Sequence, residues 1–486
     1  MTVGLPRASG SSPRPGLPRV LGRYCWSNLG WFLCLLLPVG VYLAVPAGSF
    51  SWEQRIFLAV GSSAVVMWMF RLVAEYLVCI FIVIACLTLK IVPSQVILGG
   101  FTSQTFFLAM GVFGIGVMLT NSGLLVRLTL MILCYVPATA FWQNLALSLA
   151  GVLVTPVIPS ANGRLALVGP MVEEMSREMG YGPRSPGSAR LAMSAYSSFG
   201  LMSNYFLTGK PVNFILFGLL SSQVQTRFTF FHWMVAAAVA GIVCFAGRFL
   251  LAGALYRESG KVCLSRARVR ARFRELGKLG TSEWIALLSS LIFIVGVCTY
   301  SIHKIPTAWM ALLILFLVLF SGELSQEDFR KKIDWTFLLF LAGLIGFTQA
   351  FMYLGLDRRV GSLLSLTNGL MADRFALYIL VLSAEVLLVR FLLPANATVA
   401  LFCVVLLPLA EANGVNPWVV GFCVLVLCSG AFFPYQSTFY LTLYHATEGR
   451  LFTHRQAAPF NVLANFINVA ALLGSVYFWK VLGLLQ

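Results

Sequence analysis

Uncharged apolar runs recur along this chain from Trp31 to the C-terminus, and no other feature restricts its fold as much. Many are close to the ~20 residues that a helix needs to cross a bilayer. In hydrocarbon every backbone N–H and C=O must be paired within the protein, so a spanning chain is either helical or a closed barrel. The period-two alternation of barrel strands is absent. Only 10% of the 486 residues are charged and 59% are apolar, whereas soluble domains carry roughly 25% charged residues. Mean hydropathy is +0.87. The expected fold is an all-α polytopic membrane protein.

The net charge of +17 is not a nucleic-acid footprint, because the positive residues collect in a few short segments between apolar runs. That is the pattern by which basic loops stay on the cytoplasmic side. Residues 1–28 read as a disordered basic cytoplasmic tail carrying Arg7, Arg14, Arg19 and Arg23. The apolar run after it has no convincing small-residue cleavage site and is expected to be a retained helix. The strongest cluster lies in 257–282, with Arg257, Lys261, Arg266, Arg268, Arg270, Arg272, Arg274 and Lys278, and should also be cytoplasmic. The 11 cysteines show no C-x-x-C pair and there are only 4 histidines, so metal and redox chemistry find no scaffold. With no H-E-x-x-H, no paired membrane aspartates and no large soluble segment, the expectation is not an enzyme.

The chain repeats itself. "FFLAMGVFGIGVMLTNSGL" (Phe106–Leu124) aligns with "LLFLAGLIGFTQAFMYLGL" (Leu338–Leu356) at a constant offset of 232 residues (338 − 106). Gly111, Gly114 and Gly123 fall on Gly343, Gly346 and Gly355. A Pro/Asn break follows in each half, "TPVIPSANGR" and "LLPANATVAL", and then a second polar break, "SNYFLTGKPVNFILF" and "SGAFFPYQSTFYLTL". Parity decides how these segments are used. Crossings over 29–46, 55–71, 75–92, 104–121, a broken helix 188–222 and 231–256 bring the chain back to the basic 257–282 loop. This leaves 141–179 as a re-entrant hairpin from the cytoplasm. The second half, 283–486, crosses at 283–302, 305–321, 335–353, a broken helix 416–444 and 459–482, with an outward hairpin over 376–414. About eleven transmembrane helices and two hairpins thus form an inverted repeat, with the N-terminus cytoplasmic and the C-terminus external.

Irregular backbone in a bilayer is tolerated only where it is buried in protein or lines a cavity. Paired breaks at matching positions of inverted halves mark a transporter whose site lies between them. Helix N-termini that start after each break favour an anion there. The candidates are the polar residues at the breaks: Asn162, Arg164, Thr208, Lys210, Asn213, Asn396, Thr398, Gln436, Ser437 and Thr438. Asn162 and Asn396 also suit helix capping beside Pro159 and Pro394, and both roles can hold. Arg164 and Lys210 are ionisable groups in apolar sequence, which is a functional signal by default, with snorkelling or a salt bridge as the alternative. Glu385 and Arg390 are expected to pair with each other.

With these residues in view, residues 30–486 resemble the divalent anion:sodium symporter family. Its hairpin tips carry Ser-Asn-Thr motifs, and "TPVIPSANGR" is similar to the variant in citrate and oxodicarboxylate exchangers. Ser160 and Arg164 match, while Ala161 and Asn162 stand where Asn and Thr are expected; in the second motif Asn396 fits and Ala395 and Ala397 replace Ser and Thr. The resemblance implies a secondary carrier for a dicarboxylate, tricarboxylate or sulfate in the cell (inner) membrane. It implies an elevator movement and a homodimer, with Ser160 joining the substrate site. It also implies sodium ligands at Ser160, Asn162 and Asn396, which are all that remains of six motif positions. No other cofactor is expected. Fixed protein cations would then take over the charge that sodium supplies, making the carrier an anion exchanger. A sodium- or proton-coupled antiporter is the competing reading, with Glu385 as the available proton carrier.

Overall fold

Each apolar run folds as a helix in the computed structural model, and no strand forms among the described residues, which are 17–485 apart from 136, 138, 258–265, 357, 358 and 360–364. Most of the predicted tail and Lys261 of the basic loop lie outside them. The first half comprises α1 (Leu17–Ala44), α2 (Trp52–Phe70), α3 (Glu75–Thr88), α4 (Gln104–Asn121), α5 (Leu124–Tyr135), α6 (Ala140–Val154), α7 (Ala161–Glu178), α8 (Pro186–Ala195), α9 (Val212–Leu219) and α10 (Ala238–Leu255). The basic helix α11 (Arg266–Glu275) leads into α12 (Thr281–Cys298), α13 (Thr307–Phe320), α14 (Trp335–Tyr353), α15 (Ser365–Asp373), α16 (Phe375–Leu392), α17 (Ala395–Ala412), α18 (Pro417–Cys428), α19 (Thr438–Ala446) and α20 (His454–Val481). Short helical turns fill several of the connections.

Six of these helices, α4, α10, α14, α16, α17 and α20, are long and apolar enough to cross a membrane. The arms of the predicted second hairpin, α16 and α17, are among them. The run predicted over 188–206 breaks after Ala195 into a π turn (Tyr196–Gly200) and a 3-10 turn (Leu201–Tyr205) before α9 resumes. Its counterpart stops at Cys428 and restarts at Thr438, where Ser437 caps α19 by accepting from the Tyr440 N–H at 3.2 Å.

The repeated glycines have a packing cause. Both glycine helices start on a side-chain cap: Ser103 accepts from Phe106 N–H and Asp334 from Phe337 N–H. Both end at a left-handed residue, Gly123 (φ +77°) and Gly355 (φ +65°), which ordinary side chains avoid. Between those ends, α4 lies against α13 and α14 lies against α3. A Cβ on Gly111 would sit 2.7 Å from the Ala311 carbonyl carbon, and one on Gly343 would sit 2.6 Å from Cys79 Cβ. Small residues let helix backbones approach where lipid supplies no hydrophobic drive.

The helix partners are exchanged between the halves. The helix α13 of the second half packs on α4 of the first, and α3 of the first packs on α14 of the second. In the same reciprocal way α7 packs on α19, α17 packs on α9, and the last helices of the two halves, α10 and α20, pack on each other. The α3, α4, α13 and α14 group forms a frame. The α6/α7 and α16/α17 pairs surround the two broken helices.

A Cβ on Gly346 would meet the Ile97 carbonyl oxygen at 1.9 Å. Gly346→Ala is therefore expected to destabilise the frame by about 1–3 kcal/mol, the usual cost of overpacking. Gly474, which faces open space, supplies the control: thermal unfolding in detergent should shift for Gly346→Ala and stay put for Gly474→Ala.

Candidate functional site

Two buried guanidinium groups organise the breaks. Arg164, at 0% exposure, reaches back from the first turn of α7 into the turn that precedes it. Its Nε donates to Phe199 O at 2.9 Å; Nη1 donates to Ile158 O, to Gly209 O at 3.1 Å and to Thr155 O at 3.4 Å; and Nη2 donates to Ser203 Oγ at 2.6 Å. One side chain thus ties the α6–α7 turn to both sides of the first broken helix. Arg390, on the last turn of α16, does the same in the second half. It donates to Leu393 O in its own turn (3.0 Å), to Cys428 O at the end of α18 (3.1 Å) and to Gln436 O just before α19 (2.8 Å). The Gln436 side chain returns a bond to Arg390 O at 3.3 Å and accepts from Phe432 and Phe433 N–H. Arg390 does not pair with Glu385, because the carbonyls freed by the breaks use its donors and Glu385 lies on the exposed side of α16.

The smaller polar residues complete these knots. Thr208 is buried and donates to Pro156 O at 2.6 Å. Asn213 donates to Ser203 O and Phe206 O, both at 2.8 Å, and its buried Oδ1 has no partner. Thr398 returns a bond to Pro394 O at 2.9 Å, one turn behind it. Ser160 is the N-cap of α7, accepting from Gly163 N–H at 3.0 Å, and Ser437 receives the Tyr196 hydroxyl at 3.2 Å. Thr438 is exposed at the start of α19. Asn162 and Asn396 face different neighbours: Asn162 Oδ1 accepts from Thr442 Oγ1 at 3.1 Å, and Asn396 Nδ2 donates to Glu75 Oε2 at 3.0 Å.

Lys210 differs from the rest. It is 5% exposed, it forms no hydrogen bond, and its charged neighbours are Arg390 and Arg248. Arg248 was not singled out from the sequence, although it stands alone in the apolar run of α10. It donates to Asn468 Oδ1 on α20, and its buried Nε has no partner. Tyr205 lies beside it. Among the described residues, no carboxylate lies within ion-pair distance of Arg164, Lys210, Arg248 or Arg390. Buried charges with no opposite charge beside them are costly, so four of one sign favour an anion.

Two cavities adjoin the breaks. The smaller, about 200 Å³, is lined by Pro159, Ser160, Gly163, Pro211, Thr120 and the oppositely charged Lys332 and Asp334. The larger, about 450 Å³, lies between the frame and α9, α17 and α18 and is lined by Gln104, Thr105, Thr348, Gln349 and Glu411, with no basic residue. Volume favours the second, whereas the first holds one of the sequence candidates, Ser160.

Comparison with known proteins places the chain in a family. Residues 26–485 match the family described as sodium:sulfate symporter transmembrane region. The chain is 21% identical over 66% of its length to the inner membrane protein YbhI of Escherichia coli, and 23% identical over 51% to the putative malate transporter YflS of Bacillus subtilis. It is 22% identical over 56% to the chloroplastic dicarboxylate transporter 2.1 of Arabidopsis thaliana. The matched stretches span 65%, 53% and 50% of those relatives. Among solved structures, the YdaH transporter of Alcanivorax borkumensis superposes with a TM-score of 0.51 over 80% of this chain and 88% of that one, at 11% identity. With a match that runs almost from end to end, this chain belongs to the sodium:sulfate symporter family.

Proposed function

We propose that the protein is a secondary active transporter of a small divalent anion, a dicarboxylate, tricarboxylate or sulfate, and that it works by exchange. The observation that carries this reading is the set of four buried cations with no carboxylate partner. The names of two relatives, a putative malate transporter and a dicarboxylate transporter, point to the same substrate class.

The chemistry follows from the breaks. Each exposes a cluster of backbone carbonyl oxygens, which attracts a cation. In this chain the Arg164 and Arg390 guanidinium groups fill those clusters. The oxygens that would hold sodium are thus engaged, and Ser160, Asn162 and Asn396 each already hold protein partners. This ligand set does not fit a coupling sodium. Lys210 and the N-terminus of α7 are the groups that would receive the anion, since both N–H groups of Asn213 are already donated to Ser203 O and Phe206 O. An empty site holds unpaired positive charge and crosses poorly, so an anion must travel in each direction. The frame would stay fixed while the two helix pairs slide as an elevator, in re-entrant hairpins and in a homodimer, as the resemblance implies.

Uptake into proteoliposomes tests the reading with a panel of anions. Internal substrate is expected to stimulate uptake severalfold and a sodium gradient to change nothing. Strong sodium dependence without any need for counter-anion would defeat it. Proton coupling is the weaker alternative, since Glu385 sits on an exposed helix face away from the breaks. The inverted arrangement predicts that a reporter at Arg274 reads cytoplasmic and one after Leu485 reads external; a cytoplasmic reading at Leu485 would remove it.

A further inference from the structure

The bond from Asn396 to Glu75 joins the two parts of the molecule. Glu75 is the first residue of α3, half-buried, and belongs to the frame. The Trp68 indole donates to its backbone carbonyl at 3.5 Å, and α3 is fixed on α14 by the close Cys79–Gly343 approach. Asn396 opens α17, which packs on α9 and α18 in the part that holds the breaks. Its amide donates to Glu75 Oε2 at 3.0 Å. The charged groups around Glu75 are Arg71, at the preceding turn, and Asp334, the cap of α14. Arg390 stands within electrostatic reach of Arg71.

A frame carboxylate therefore holds the amide at the tip of the second helix pair. A substrate dicarboxylate would present the same chemical group to the same N–H. We propose that Glu75 is a resident carboxylate that occupies the Asn396 amide in the unloaded carrier and is displaced by a carboxylate of the substrate. While Glu75 holds the amide, the second helix pair is tied to the frame and the empty carrier does not move. Once the substrate takes the amide, the tie is released. Glu75 is thus a positioning residue that acts through Asn396, and it gives exchange a second cause besides buried positive charge. This step rests on the exchange reading above.

Two variants separate the possibilities. Glu75→Ala removes the acceptor, and Glu75→Gln keeps an acceptor without its charge. Charge-assisted bonds are about twice as strong as neutral ones. Affinity for succinate and for sulfate, read by ligand-dependent thermal shift of the purified protein, is expected to tighten about tenfold in Glu75→Ala and less in Glu75→Gln. Net efflux from loaded vesicles without external counter-anion is expected to rise in the same order. A merely structural Glu75 cannot tighten binding, so unchanged or weaker affinity in both variants overturns the proposal. If Glu75→Ala does not fold, Glu75→Gln decides by the direction of its affinity change. If the wild type itself shows free net efflux, the exchange reading fails while the affinity comparison still decides the role of Glu75. A wild type that binds neither anion overturns both.

Discussion

Arg164→Ala is expected to leave no folded, transport-competent protein. The guanidinium is 0% exposed and satisfies carbonyls of Thr155, Ile158, Phe199 and Gly209 together with Ser203 Oγ. Leaving a buried polar group without its partner costs roughly 1–3 kcal/mol. Several such losses at one point approach the whole 5–15 kcal/mol by which a protein is stable. Arg164→Lys should be milder but still impaired, because an ammonium offers one point of donation where the guanidinium offers a planar fork. Size-exclusion behaviour and thermal unfolding in detergent check the first claim, and exchange in vesicles checks the second. An Arg164→Ala protein that folds and exchanges normally would show that the carbonyl cluster needs no cation. One that folds and exchanges only with sodium would show that the cluster accepts the ion once the guanidinium is gone.

Lys210→Met should do the opposite to the fold and the same to the function. Lys210 is buried without a hydrogen bond and with Arg248 and Arg390 for neighbours. Its charge costs desolvation and receives repulsion in the empty protein. An uncharged side chain of similar length removes both, so stability should hold or rise. Transport of a divalent anion should fall by about 10- to 100-fold, the loss expected for one charged hydrogen bond. The pair of measurements matters more than either alone: a structural lysine loses stability on replacement, whereas a binding lysine loses transport while the protein stays folded. Transport within a factor of two of the wild type would exclude Lys210 from the site.

Much of the architecture could be read along the chain because it rests on local properties. Apolar runs of helix length, sparse charge and the glycine spacing of 106–124 and 338–356 are visible residue by residue. They mark a helical membrane protein built from two related halves. The singular residues were visible for the same reason: Arg164, Lys210 and Arg390 stand out because charge is expensive in apolar sequence. Arg248 carries the same signal inside an otherwise uniform apolar span. The partners of these groups were not legible, because they are brought together by folding. Arg164 meets Phe199 and Gly209, and Arg390 meets Cys428 and Gln436, through backbone carbonyls, which every residue carries and no sequence pattern marks. The expected Glu385–Arg390 pair failed on this point: a break frees carbonyl oxygens that compete for the guanidinium. The meeting of Glu75 with Asn396, 321 residues apart, depends on the exchange of helices between the halves. Side-chain chemistry along the sequence determined which charged residues stand at the breaks. Only the packing of α3 on α14 and of α17 on α9 decided which carboxylate stands next to the amide at the second of them.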